Sequence, residues 1–123
     1  MSLKIIILAG GKGTRISSVI GNTPKILASV SGKPFLEWFL TWIKNWELDV
    51  DYEILISTCV GHNHIKDYCL KKNYNINCIK EEKPLGTFGA IANVASQNYS
   101  KNYLVLNGDT IFKANFKMIF NSF

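Results

Sequence analysis

The run Leu3-Lys4-Ile5-Ile6-Ile7-Leu8-Ala9, stopped by Gly10, constrains the fold more than any other feature of this chain. A β-branched stretch without polar alternation belongs to a strand buried on both faces, as in a parallel sheet. Such a run is too short for a membrane span or a secretory core, and glycines follow where a cleavage site would stand. The reading is a cytoplasmic protein with no membrane insertion.

Further strand-like runs recur at Tyr52–Thr58, Ile76–Lys80 and Tyr103–Leu106, with helical patterns between them over Pro34–Trp46, about His62–Lys72 and about Phe88–Asn98. Pro34 stands where a first helical residue is expected. Phe35, Phe39, Trp42, Ile43 and Trp46 recur at three- and four-residue steps and read as a core-facing stripe. Strands alternating with helices predict an α/β fold, a parallel sheet with helices on both faces. Ligands of such sheets bind beyond the carboxyl ends of the strands. With 47% apolar residues among 123 and no linker or repeat, one compact domain is expected.

Cys59, Cys69 and Cys78 have no C-x-x-C spacing and read as buried thiols rather than zinc ligands. The net charge of +5 does not indicate nucleic acid, because the lysines are dispersed and Arg15 is the single arginine. The distribution of charge says more. Lys4, Lys12, Arg15, Lys25 and Lys33 all precede the first acid, Glu37, which points to an anionic small ligand near this segment.

Directly after the first strand come Gly10-Gly11-Lys12-Gly13-Thr14-Arg15. Glycines let backbone N–H groups close on phosphate oxygens, and an arginine can grip those oxygens through two donors at once. This loop is not a Walker loop, which needs a Gly-Lys-Ser/Thr ending. Nor is it a dinucleotide fingerprint, because Ile16 stands at the third glycine and Glu37 opens a helix rather than ending a strand. Further on, proline makes Thr23-Pro24-Lys25 a stiff turn that presents a second cation.

These residues, Gly10-Gly11-Lys12-Gly13-Thr14-Arg15 and then Pro24-Lys25, resemble the G-G-x-G-T-R and P-K signature of the sugar-phosphate nucleotidyltransferases. The likeness continues in Glu81-Glu82-Lys83-Pro84-Leu85-Gly86-Thr87-Phe88-Gly89-Ala90, similar to that family's E-x-x-P-L-G-T-x-G-A segment, and in Leu106-Asn107-Gly108-Asp109-Thr110. Phe88 departs from it, standing where a small residue is common.

The resemblance implies a Rossmann-like three-layer sandwich of the nucleotide-diphospho-sugar transferase type. It implies that Leu8, Ala9, Gly10, Gly11, Lys12, Gly13 and Thr14 hold a nucleoside triphosphate, with Glu82, Pro84, Gly86, Thr87, Asn107 and Gly108 also contacting the nucleotide. The segment with Glu82, Pro84, Gly86 and Thr87 would contribute to the base and sugar pocket. Arg15 would neutralise charge as pyrophosphate leaves, Lys25 would hold phosphate at the reacting centre, and Asp109 would bind magnesium. Thr87, by its type and position, can cap the helix that follows. His62 and His64, with no third ligand in view, read as surface or capping residues.

In substrate the chain looks most like guanylyltransferases for heptose 1-phosphate in bacterial surface-carbohydrate synthesis, of lipopolysaccharide or capsule. Mannose-1-phosphate guanylyltransferases are close behind. GTP and a sugar 1-phosphate are the implied partners, and a homo-oligomer is compatible. Relatives carry a further half, so residues 1–123 read as the N-terminal part of a longer nucleotidyltransferase domain. Two alternatives stay open: a noncatalytic nucleotide-binding module, and a transferase of the same fold with another acceptor, such as a cytidylyltransferase.

Overall fold

The computed structural model describes residues 2–9, 19–20, 23–59, 61–83 and 85–108. In chain order these form β1 (Ser2–Leu8), β2 (Val19–Ile20), β3 (Thr23–Pro24), β4 (Ser29–Val30), β5 (Lys33–Pro34), α1 (Phe35–Lys44), β6 (Asp51–Thr58), α2 (His62–Lys71), β7 (Ile76–Lys80), α3 (Gly86–Gln97) and β8 (Tyr103–Asn107). A 3-10 turn, Lys25–Leu27, lies between β3 and β4.

The main sheet has the order β7-β6-β1-β8, and every neighbouring pair is parallel. The opening apolar run is one of its two inner strands, and its side chains are packed on both faces, as its composition requires. Ile5, Ile6 and Ile7 are all fully buried, yet they serve different layers because successive side chains leave opposite faces of a strand. Ile5 and Ile7 join Leu36, Phe39 and Ile43 of α1 and Ile65 and Cys69 of α2. Ile6 joins Leu55 of β6 and Val94 of α3. Helices on both faces make the expected three-layer sandwich. Each fully buried isoleucine contributes roughly 1.5–3 kcal/mol of apolar burial.

The aromatic stripe of α1 is core. Phe39 and Trp42 meet edge to face at 5.3 Å between centroids, as do Trp42 and Trp46 at 5.0 Å. Pro34 is not the first helical residue: it is the N-cap, with ψ 146, and pairs with Ser29 across the β4–β5 hairpin, so the helix opens at Phe35. Glu37, in the first turn of α1, accepts a hydrogen bond from the Tyr68 hydroxyl and lies 3.7 Å from Lys72 Nζ, tying α1 to α2. The Tyr68 bond chiefly holds the Glu37 carboxyl below its ordinary range, while burial pushes Tyr74 up to about 12. Glu37 is thus a helix-to-helix tie.

Among the cysteines only Cys69 is buried; Cys59 and Cys78 are half-buried, just past the end of β6 and on the outer strand β7. No helix among the described residues is long and apolar enough to cross a membrane.

Candidate functional site

Parallel pairing brings the carboxyl ends of the strands to one edge. Leu8 lies opposite Ser57 on one side and Asn107 on the other. Backbone bonds carry the alignment just past the strands: Ala9 N–H donates to Ser57 O at 2.8 Å, Glu81 N–H to Thr58 O at 2.7 Å and Gly108 N–H to Leu8 O at 2.9 Å.

Gly108 shows why that residue must be glycine. A Cβ there would stand 2.8 Å from Leu8 O, 3.2 Å from Ile7 Cγ2 and 3.4 Å from Ile26 Cδ1. The backbone leaving β8 is therefore pressed against the end of β1. Two predicted binding stretches, Leu8-Ala9 and Asn107-Gly108, are far apart in sequence and side by side in space. Asn107 is exposed there, and Leu8 and Ala9 are half-buried. The rest of the glycine loop (Gly10, Gly11, Lys12, Gly13, Thr14 and Arg15) lies outside the described residues, as do Pro84 and Asp109.

Lys25 reaches this edge by a different route. Pro24, buried with φ −56 and ψ 142, packs on Gly61 so closely that a Cβ on Gly61 would be 2.5 Å from Pro24 Cγ. Gly61 also has φ +82, which favours glycine independently of space. Lys25 then opens the 3-10 turn, closed by Ala28 N–H donating to Lys25 O at 3.0 Å, and Ile26 is anchored in the core near Gly108. The stiff presentation expected from Pro24 is what the packing produces.

The segment after β7 holds two acids in different settings and corrects one expectation, the cap at Thr87. Glu82 is exposed, whereas Glu81 is 3% exposed: its Oε1 accepts from Ser57 Oγ at 3.2 Å and its Oε2 from Leu85 N–H at 3.1 Å. Ile79 packs with the layer of Ile6, Leu55 and Val94, and Glu81, two residues on, meets Ser57 on that same face, while Glu82 does not. Nor does Thr87 cap a helix: α3 opens at Gly86 with Leu85 as N-cap and no side-chain cap, and exposed Thr87 already lies in its first turn. Gly86, at φ +75, makes the sharp entry. Gly89 gives close approach, since a Cβ there would lie 2.6 Å from Leu85 Cβ. Phe88 is 88% exposed at the same rim.

Beside this edge a cavity of about 230 Å³ is lined by Cys59, Gly61, His62, Asn63, His64 and Lys80. Gly61, not a histidine, is the N-cap of α2, and His62 Nδ1 sits 2.6 Å from Thr58 Oγ1 while His64 is exposed. Burial, then Lys80 and Lys66, lowers the His62 pKa. Among the described residues no three His, Cys, Asp or Glu side chains form a metal-holding group.

The early cations also separate. Lys4 pairs with Glu53 at 3.0 Å, four residues before the end of β1 and so roughly 13 Å from the carboxyl edge. Lys33 lies over the Trp38 ring at 4.0 Å. Of the five expected to serve an anion, Lys25 is the one described at this edge, and Lys12 and Arg15 lie outside the described residues.

Comparison with known proteins agrees with this architecture. The profile described as nucleotidyl transferase matches residues 4–123. The chain is 32% identical over 120 residues to a D-glycero-alpha-D-manno-heptose 1-phosphate guanylyltransferase of Aneurinibacillus thermoaerophilus, covering 96% of itself and 51% of that protein. It is 36% identical over 116 residues to the protein of the same description from Campylobacter jejuni, covering 89% of itself and 49% of that protein. It spans about half the length of these relatives. Among solved structures, HddC from Yersinia pseudotuberculosis superposes with a TM-score of 0.79 at 34% identity, over 97% of this chain and 53% of that one. HddC has also been solved in complex with GMP-PN.

Proposed function

Because the chain belongs to the nucleotidyl transferase family, we propose that it is the nucleotide-binding part of an enzyme joining GTP to heptose 1-phosphate, with release of pyrophosphate, for bacterial surface carbohydrate. The observation that carries the reading is the junction of Leu8-Ala9 with Gly108. Backbone approaches so closely there that no Cβ fits, and the glycine-rich sequence continues directly from Ala9. The likeness to heptose 1-phosphate guanylyltransferases and the GMP-PN complex of HddC favour GTP and this acceptor. A cytoplasmic setting fits a reaction that consumes GTP.

In this account the amides of Gly10, Gly11, Gly13 and Thr14 cradle the triphosphate, with Lys12 alongside. The acceptor's phosphate oxygen is already ionised near neutral pH and attacks the α-phosphorus. The bond to the bridging oxygen breaks and pyrophosphate leaves, so no activated serine, cysteine or histidine is required. What remains is to hold polyanions in line and absorb their repulsion. Lys25 holds phosphate at the reacting centre, and Arg15 neutralises the leaving group. The Leu85-Gly86-Thr87 stretch, with Pro84, takes the base side, and Asn107 lies near the sugar of the nucleotide. Asp109, next in sequence to the clamped Gly108, offers the hard carboxylate oxygen that suits magnesium. Magnesium, when bound there, supplies further neutralisation of the phosphates.

The test is pyrophosphate release by the purified protein with GTP, magnesium and a panel of sugar 1-phosphates. The account expects release that depends on the acceptor, highest with heptose 1-phosphate. Binding of GTP with no release for any acceptor would leave only a nucleotide-binding module.

A further inference from the structure

Among the described residues Glu81 is the one buried acid. Taking a carboxylate out of water is costly and persists only where its oxygens are bonded. Both are. The Ser57 hydroxyl donates to Oε1 at 3.2 Å and the Leu85 amide to Oε2 at 3.1 Å, and Ser57 is itself fully buried in β6. The side chain therefore reaches forward four residues and ties the end of β7 to Leu85, the N-cap of α3.

Two consequences follow. This tie sets where Leu85, Gly86 and Thr87 stand, because Leu85 is held through Glu81 to the sheet and α3 has no side-chain cap of its own. The carboxylate also places a built-in negative charge at the positive end of α3. A phosphate brought to that helix end would meet like charge in a poorly screened setting. The close backbone at Gly108 lies at the other part of the edge, beside β1, with Ile26, the residue after Lys25, packed near it.

We propose that Glu81 is a positioning residue that divides the site: it fixes Leu85–Thr87 for the uncharged nucleobase and confines the phosphates to the end formed by Ala9, Lys25 and Gly108. This rests on the nucleotide-binding reading above and deepens it. The exposed neighbour Glu82 has no part in it.

Calorimetric titration of the full chain with magnesium and either GTP or inorganic tripolyphosphate tests the division. Glu81→Leu is expected to weaken GTP by about tenfold, the equivalent of one well-made hydrogen bond. Tripolyphosphate, which has no base, is then held as tightly as by the wild type or more tightly. Glu81→Gln keeps an acceptor for the Leu85 amide and can donate to Ser57 Oγ, so it restores GTP binding to within about threefold. Equal weakening of both ligands would reduce Glu81 to a general structural role and overturn the proposal, as would unchanged GTP binding in Glu81→Leu or failure of glutamine to rescue. Should circular dichroism show Glu81→Leu unfolded, Glu81→Asp serves, since it keeps the charge but is too short to span both partners; the same loss confined to GTP is expected. A wild-type chain that binds neither ligand would instead sink the nucleotide reading itself.

Discussion

The two ends of the main sheet both collect charged and polar groups, and they differ in how those groups are answered. At the amino end a cavity of about 450 Å³ is lined by Leu3, Lys4, Asp51, Tyr52, Glu53, Asn75 and Asn77. There Lys4 and Glu53 answer each other across the strands: they meet at 3.0 Å, directly opposite in register, and Asn77 donates to the other oxygen of Glu53 at 3.4 Å. At the carboxyl end the cavity is smaller, about 230 Å³, but the backbone is forced into contacts only glycine allows, at Gly61 and Gly108, and an acid is buried. Volume and charge count would choose the amino end. Close-packed backbone and costly burial mark the end where the chain has given up stability for a shape.

Substitutions at the two ends should break or sharpen that contrast. The largest effect is expected for Lys25→Ala, with Arg15→Ala and Asp109→Ala beside it. Each should depress nucleotidyl transfer at least about a hundredfold without unfolding the protein, whereas Lys4→Met leaves the rate within about twofold. Steady-state pyrophosphate release measures both, and a loss at Lys4 comparable with that at Lys25 would erase the distinction between the ends.

Next come the glycines. Gly108→Ala, facing Leu8 O at 2.8 Å, should destabilise by about 1–3 kcal/mol in urea unfolding and weaken GTP in parallel. Gly86→Ala, with open space but φ +75, should cost only about 1–2 kcal/mol from backbone strain. Removing the Lys4–Glu53 pair by Lys4→Met should cost no more than about 1 kcal/mol, and less in high salt. A value well above that would mean the amino end is a stabilising network in its own right.

The smallest expected effect is in pH. The folded pKa of His62 lies below the ordinary 6.5, so as pH falls below about 6.5 the unfolded chain takes up the proton first and stability declines. Above that window the group contributes nothing. Thermal melts at pH 7.5 and 5.5 should show a small drop in Tm that shrinks in His62→Gln.

Much of the fold was legible because burial repeats with a period. The unbroken run before Gly10 identified a parallel strand buried on both faces, and the aromatic steps of α1 identified a core face. Less legible were features decided by one or two residues. The β4–β5 hairpin turns through Ser31 at φ 48 and Gly32 at φ 90, a Ser-Gly turn signal that can be read only by asking for two consecutive positive φ values. Pro34 looked like a helix opener and pairs in that hairpin instead. Glu81 and Glu82 are chemically equivalent in sequence; they differ in the face of the sheet each one takes, Glu81 meeting buried Ser57 and Glu82 left exposed. Lys4 and Lys33 raised the apparent anion-binding charge of the first segment because sequence shows charge and not its partner. Glu53 answers one of them, and the Trp38 ring covers the other.

The most direct measurement is the position of a bound nucleotide in crystals of the full chain grown with a nonhydrolysable GTP analogue and magnesium. The account predicts phosphate density against the Ala9–Arg15 loop and Gly108, with the base over Leu85–Thr87. Density in the amino-end cavity beside Lys4 and Glu53, or phosphates seated at the start of α3, would contradict it.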